Sequence, residues 1–116
     1  MENLSDLALQ QIAQYFQVLA EPTRLRILNS LREEQRSVGE LAEICQCSLA
    51  NVSRHLSQLA KQGLVARESQ GTTAFYGIAD PAVYELCDLV CGNIDRHFRL
   101  QAKTQRAFAA VQRRKS

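Results

Sequence analysis

At 116 residues, 46% of them hydrophobic and 22% charged, the chain has room for one globular domain with an ordinary core. Its formal net charge of +2 is too small to announce a nucleic-acid partner, so such a partner has to be argued from where the cations lie. No apolar run reaches the ~18–20 residues that span a bilayer, and the opening MENLSDLALQQ is acidic and polar, so a soluble cytoplasmic protein with no membrane partner is expected, its four cysteines being thiols, ligands or core residues rather than disulfides.

The first element is an amphipathic helix over 5–19. Ser5 is its N-cap, and its apolar residues are Leu7, Ile12, Tyr15, Phe16, Val18 and Leu19. Glu21-Pro22-Thr23 interrupts it, because proline favours the first turn of a new helix. Thr23–Arg32 is the second helix, with Leu25, Ile27, Leu28 and Leu31 as its stripe. Glu33–Arg36 is a connecting loop.

Residues 37–63 are the most informative stretch. Ser37 and Glu40 form a capping box for a short helix with Val38, Leu41, Ala42 and Ile44 on its apolar side. Ser48 caps the next helix, whose stripe is Val52, Leu56 and Leu59. Lys61, Gln62 and Gly63 supply the stop signal. The opposite face carries Ala50, Asn51, Arg54, Ser57, Gln58 and Lys61. One helix face anchored in a core and another lined with cations and small polar groups fits a DNA major groove. Arg54 is the first candidate for a base or phosphate contact, with Asn51 and Ser53 beside it. Ser48, Ala50, Ser57 and Gln58 complete the surface, and His55 is read as a solvated or phosphate-contacting flank.

Residues 64–78 follow as a wing. Two strand-like runs, Leu64–Ser69 and Thr73–Ile78, flank Gln70, Gly71 and Thr72, where Gly71 can take a positive φ. Arg67 and Gln70 stand where such a wing lies along a phosphate backbone. Asp80-Pro81 then starts a long helix over 80–112, Pro81 at its first position. Val83, Cys87, Val90, Cys91, Ile94 and Phe98 form its stripe, and the last cations, Arg113–Lys115, are expected to fray. The terminal helices carry more apolar surface than one small core needs, which points to a homodimer through both. The fold class is therefore mainly α with a small β-hairpin, a winged helix-turn-helix.

These residues resemble the ArsR/SmtB family of winged-helix repressors. The resemblance lies in Val18–Leu31 (VLAEPTRLRILNSL), Val38–Glu43 (VGELAE), Asn51–Val65 (NVSRHLSQLAKQGLV) and Gly71–Asp80 (GTTAFYGIAD), in the family's order and spacing. It implies a small homodimeric repressor of double-stranded operator DNA, released by a metal ion, a metalloid or thiol oxidation, or having no inducer. The family's ligand sites transfer poorly. At the zinc-type positions Asp80, Ala82, Asn93 and Arg96, only Asp80 is a suitable ligand. The arsenic- or cadmium-type Cys pair is displaced to Cys45 and Cys47, which fall in the turn. The thiol that a persulfide sensor needs near 27–29 is absent. Leu49-Ala50 replaces the polar pair common before the recognition residues, and can contact thymine methyl groups but cannot hydrogen-bond a base.

Two readings of the cysteines stay open. Cys87 and Cys91, one turn apart on the last helix, either pack or bind a soft metal or metalloid ion, or are oxidised. Cys45 and Cys47 are the second choice, set against a role as small buried hydrophobes. His97 lies off the face of Cys91 and is expected to be partly exposed. An effector-free DNA- or protein-binding module is the alternative function. No Gly-rich phosphate loop, paired carboxylate motif or nucleophile–base spacing supports an enzyme.

Overall fold

The computed structural model describes residues 3–115, so Met1, Glu2 and Ser116, the ends of the expected domain, lie outside the described residues. In chain order the elements are α1 (Asp6–Leu19), α2 (Pro22–Ser30), β1 (Arg36–Ser37), α3 (Val38–Cys45), α4 (Leu49–Lys61), β2 (Val65–Gln70), β3 (Thr73–Ile78) and α5 (Ala82–Lys115). They divide at Asp80/Pro81 into two compact units.

Side-chain caps set the helix starts. Ser5 Oγ accepts from the Ala8 N–H of α1, and the Ser37–Glu40 capping box is complete in both directions. Glu21 caps α2, its carboxylate accepting the Arg24 N–H at 3.0 Å, and Pro22 takes the first helical position. Helix α2 therefore starts one residue before the expected Thr23, and it ends at Ser30. Helix α3 ends at Cys45, and the left-handed φ of 53° at its C-cap Gln46 closes the turn before α4.

The core of the first unit is formed by α2, α3, α4 and the base of the wing. Ile27, Leu31, Leu41, Val52, Leu56, Leu59 and Leu64 are essentially inaccessible. Burying each is worth about 1.5–3 kcal/mol. Leu25 and Ile44, both expected inside, are exposed. They sit at the edges of their stripes, where a narrow helix contact does not reach. In α1 only Val18 and Leu19 are buried; Leu7 and Phe16 stand open.

The sheet has three antiparallel strands in the order β1-β3-β2, not the two of a hairpin. Arg36 and Ser37, read as loop and cap, pair with Tyr76 and Phe75. Arg36 Nε also donates to the Ser30 carbonyl at 3.1 Å, satisfying the end of α2. Gln70 belongs to β2, paired with Thr73, so the wing tip is the two residues Gly71 and Thr72. Gly71 has the expected positive φ, 65°.

The second unit is α5, 34 residues long and beginning one residue later than expected, at Ala82. Its helical residues run to Lys115, three beyond the expected end at 112. Val83 is buried, whereas Leu89, Val90, Ile94, Phe98, Leu100, Phe108 and Val111 are exposed. Among the described residues no helix is long and apolar enough to cross a membrane.

Candidate nucleic-acid interface

Helix α4 presents the expected face. Ser48, Ala50, Ser53, Arg54, Ser57 and Lys61 are exposed, and Asn51 and Gln58 are half-buried. Ser48 Oγ accepts the Asn51 N–H at 3.1 Å and so fixes where the helix begins. Arg54 Nη2 donates to Asn51 Oδ1 at 2.7 Å. That bond holds the guanidinium over the first turn of the helix, the end that enters a groove in helix-turn-helix docking. A guanidinium so placed matches two acceptors on one guanine edge or one phosphate.

His55 is not part of this face. It is only 4% exposed and joins Val52, Leu56 and Leu59. Its Nδ1 accepts a hydrogen bond from Arg24 Nε at 3.0 Å. That nitrogen must be unprotonated, so the Glu21 carboxylate 3.7 Å away is a neighbour rather than an ion-pair partner. Burial pushes the His55 pKa below its usual value; Glu21 pulls the other way, and the cations of Arg24 and Arg54 add to the lowering. At Glu21, burial works to raise the pKa, but the backbone N–H groups of Arg24 and Thr23 and the Arg24 cation hold it below the usual carboxylate value.

Arg24 is the residue that sequence reasoning missed. Besides His55 it donates through Nη1 to the Val18 carbonyl at 3.4 Å. One side chain thus ties the end of α1 and the start of α2 to the middle of α4. The Glu21-Pro22-Thr23-Arg24 run supplies a cap, a helix start and this tie in sequence. The signal for His55 is present in the sequence: positions 52, 55, 56 and 59 share one helical face.

On the wing, Arg67 is exposed and lies in one row with Tyr76 and Arg36 across the three strands. Gln70 is exposed too, but its Nε2 donates to Gln35 Oε1 at 3.3 Å, and Gln35 Nε2 donates to Glu68 at 2.7 Å. Gln70 therefore helps to hold the wing to the segment before β1.

The cysteines fall into two environments. Cys45 is the last residue of α3 rather than part of the turn, and it is buried; burial, with Cys47 next to it, pushes its thiol pKa up. A thiol kept protonated is a poor nucleophile and ligand. Cys47, half-buried, lies in the turn. Cys87 is half-buried and Cys91 exposed, one turn apart on α5. His97 is exposed beside Phe98. Among the described residues no three His, Cys, Asp or Glu side chains gather as a metal site.

Known proteins share this arrangement. The family described as a helix-turn-helix domain matches residues 19–68. An uncharacterised helix-turn-helix transcriptional regulator of Mycobacterium tuberculosis, Rv0081, is 41% identical over 75 residues, 64% of this chain and 66% of the relative. A transcriptional repressor SmtB homolog of Synechocystis is 36% identical over 77 residues, 66% of this chain and 58% of the relative. The chain thus matches no more than about two thirds of the length of these curated relatives. Against solved structures the agreement is longer. The crystal structure of Rv0081 superposes with a TM-score of 0.78 at 33% identity, covering 84% of this chain and 99% of that one. The homodimeric winged helix-turn-helix DNA-binding domain of Mb0332 from Mycobacterium bovis, a possible ArsR-family regulator, gives 0.70 at 34% identity, covering 84% and 94%.

Proposed function

Because the chain belongs to the ArsR/SmtB family of winged helix-turn-helix transcriptional regulators, we propose that it is a cytoplasmic homodimeric repressor that binds double-stranded operator DNA through α4. The observation that carries this reading is the two-sided character of α4. Val52, His55, Leu56 and Leu59 lock one side into the core, while Ser53, Arg54 and Ser57 face outward with Arg54 aligned by Asn51. Arg54, Asn51 and Ser53 make the central contacts. Arg67 meets the phosphate backbone from the wing.

The second subunit is assigned to the apolar faces of the terminal helices. Leu7 and Phe16 of α1 and Val90, Ile94 and Phe98 of α5 are too much apolar surface to leave in water. The relative from Mycobacterium bovis is described as homodimeric. Two copies of α4 about one DNA turn apart read an inverted repeat.

The test is a titration of a duplex selected by the protein from a random pool. Arg54→Ala is expected to weaken binding by about 1–3 kcal/mol with the helical spectrum unchanged. Unchanged affinity removes Arg54 from the reading set. Sedimentation at micromolar protein is expected to give a dimer, and Ile94→Asp a monomer.

Release from DNA is assigned to Cys87 and Cys91. Two sulfurs one turn apart, on half-buried Cys87 and exposed Cys91, suit a thiophilic ion or an oxidant, and they lie on the helix assigned to the dimer contact. A ligand that binds one dimer geometry better shifts DNA affinity by that difference and no more. Arsenite, cadmium or an oxidant should then weaken binding by the wild type but not by Cys87→Ser/Cys91→Ser. A double variant that still responds moves the role to Cys47 and Cys45. A wild type that responds to nothing is an effector-free DNA-binding module.

A further inference from the structure

The charge of this chain is segregated along its length. Residues 96–116 hold seven Lys and Arg and no Asp or Glu, a formal +7. Residues 1–95, which include the whole helix-turn-helix and wing, hold the other seven Lys and Arg against all twelve Asp and Glu, a formal −5. For a DNA-binding domain this is an inverted distribution. Affinity for a duplex irrespective of sequence comes from phosphates neutralised by Lys and Arg, with release of counterions. A region of −5, with Glu33, Glu34, Glu40, Glu43 and Glu68 all exposed, supplies little of it.

The cations of α5 are also ordered. Arg96, Arg99, Lys103, Arg106 and Arg113 recur at helical spacing on one face, and all are exposed. The stripe is about 25 Å long at the helical rise of about 1.5 Å per residue. Asp95, the last acid in the sequence, pairs with Arg99 at 3.1 Å. No carboxylate follows it to pair within the helix with Lys103 or Arg106. Five of the seven cations are Arg, whose planar fork matches phosphate oxygens. The other face of the same stretch carries Ile94, Phe98, Phe108 and Val111, so the cationic and apolar faces are opposed.

We propose that α5 from Arg96 onward is a second DNA-contacting element, its cationic face binding backbone phosphates of the duplex outside the bases read by α4. This rests on the operator-binding reading above. An anionic bilayer offers similar phosphates, but adsorption of an amphipathic helix to lipid draws on its apolar face. Here that face is the one assigned to the second subunit.

The experiment compares the full-length wild type, Arg99→Gln/Lys103→Gln/Arg106→Gln and Arg54→Ala. Each is titrated with the selected duplex and with an unrelated duplex of equal length, between about 50 and 200 mM salt. Neutralising the stripe should weaken both duplexes by a similar factor, about tenfold or more, and lower the salt slope by about two to three per subunit. Arg54→Ala should instead narrow the gap between the two duplexes. The charge-keeping Arg99→Lys/Arg106→Lys variant should retain the slope, which separates lost charge from lost folding.

If the neutralised variant keeps wild-type affinity and slope while the wild type still prefers the selected duplex, the tail contact is wrong and the operator reading stands. If the wild type shows no preference but its slope still falls on neutralisation, the tail contact stands and the operator reading falls. No binding to either duplex overturns both. Stripe-dependent binding to phosphatidylglycerol vesicles with an unchanged DNA slope overturns the proposal in favour of a lipid surface.

Discussion

In α4, Val52, His55, Leu56 and Leu59 share one helical face and all four are buried. In α5, Val83, Cys87, Val90, Ile94 and Phe98 follow the same spacing, and only Val83 is buried. The pattern in each case says that a face has to be covered; it does not say by what. For α4 the cover comes from its own chain, because tight turns at Gln46 and Gly63 fold its neighbours back onto it. For α5 the proposed cover is another copy. Nor is α4's covered face purely apolar. Burying an imidazole without a partner costs about 1–3 kcal/mol or more, and Arg24 removes that cost by donating to it.

The contrast between the two helices is widest at their leucines. Leu56→Ala removes a fully buried side chain from α4 and should cost about 2–5 kcal/mol in urea unfolding. Leu89→Ala on α5, where the side chain is 71% exposed, should stay within about 0.5 kcal/mol. Equal losses would mean that Leu89, which lies off the stripe assigned to the second subunit, is covered as fully as Leu56.

A smaller effect sharpens the polar part of the comparison. Arg24→Ala leaves His55 Nδ1 without its donor and should cost about 1–3 kcal/mol. In His55→Phe, which needs no donor, the same Arg24→Ala change should cost less. A double-mutant cycle by urea unfolding measures the difference, and zero coupling would show that the hydrogen bond contributes nothing.

The smallest effect is with pH. His55 has its pKa lowered on folding, so the unfolded chain binds a proton more readily. The stabilising contribution of the neutral ring is full above the unfolded value of about 6.5. It is lost progressively as pH falls below that toward the lower folded value. Wild-type unfolding midpoints should drop on acidification through this window, and His55→Phe should show a flatter dependence. Parallel curves would assign the pH dependence to other groups.

Much of the fold can be read from residues whose chemistry acts locally. Ser5, Ser37 with Glu40, Ser48 and Pro22 mark helix starts, because each satisfies or dispenses with a backbone N–H at its own position. What cannot be read depends on the rest of the chain. Two residues, Arg36 and Ser37, are too few to show any strand period, so the third strand is visible only once β3 is beside them. Leu25 and Ile44 look like core because apolar type says nothing about how wide a helix contact will be. At His55, side-chain polarity points to solvent while helical position points to the core, and the donor that settles it lies 31 residues away in α2. Among the interface candidates, Ser48, Asn51 and Arg54 follow from cap and wheel. The bond of Gln70 to Gln35 does not, because it joins segments 35 residues apart.

Ser37 serves twice: it pairs with Phe75 as the end of β1 and caps α3 with its side chain. No spare residue lies between sheet and helix to absorb a bend. The wing and the helix-turn-helix are therefore the two arms of a stiff calliper, its opening set by the protein. On the proposed operator this makes groove geometry a quantity that is measured. A duplex that has to be widened or narrowed to meet both arms bears the deformation energy itself, so discrimination extends to base pairs that no side chain touches.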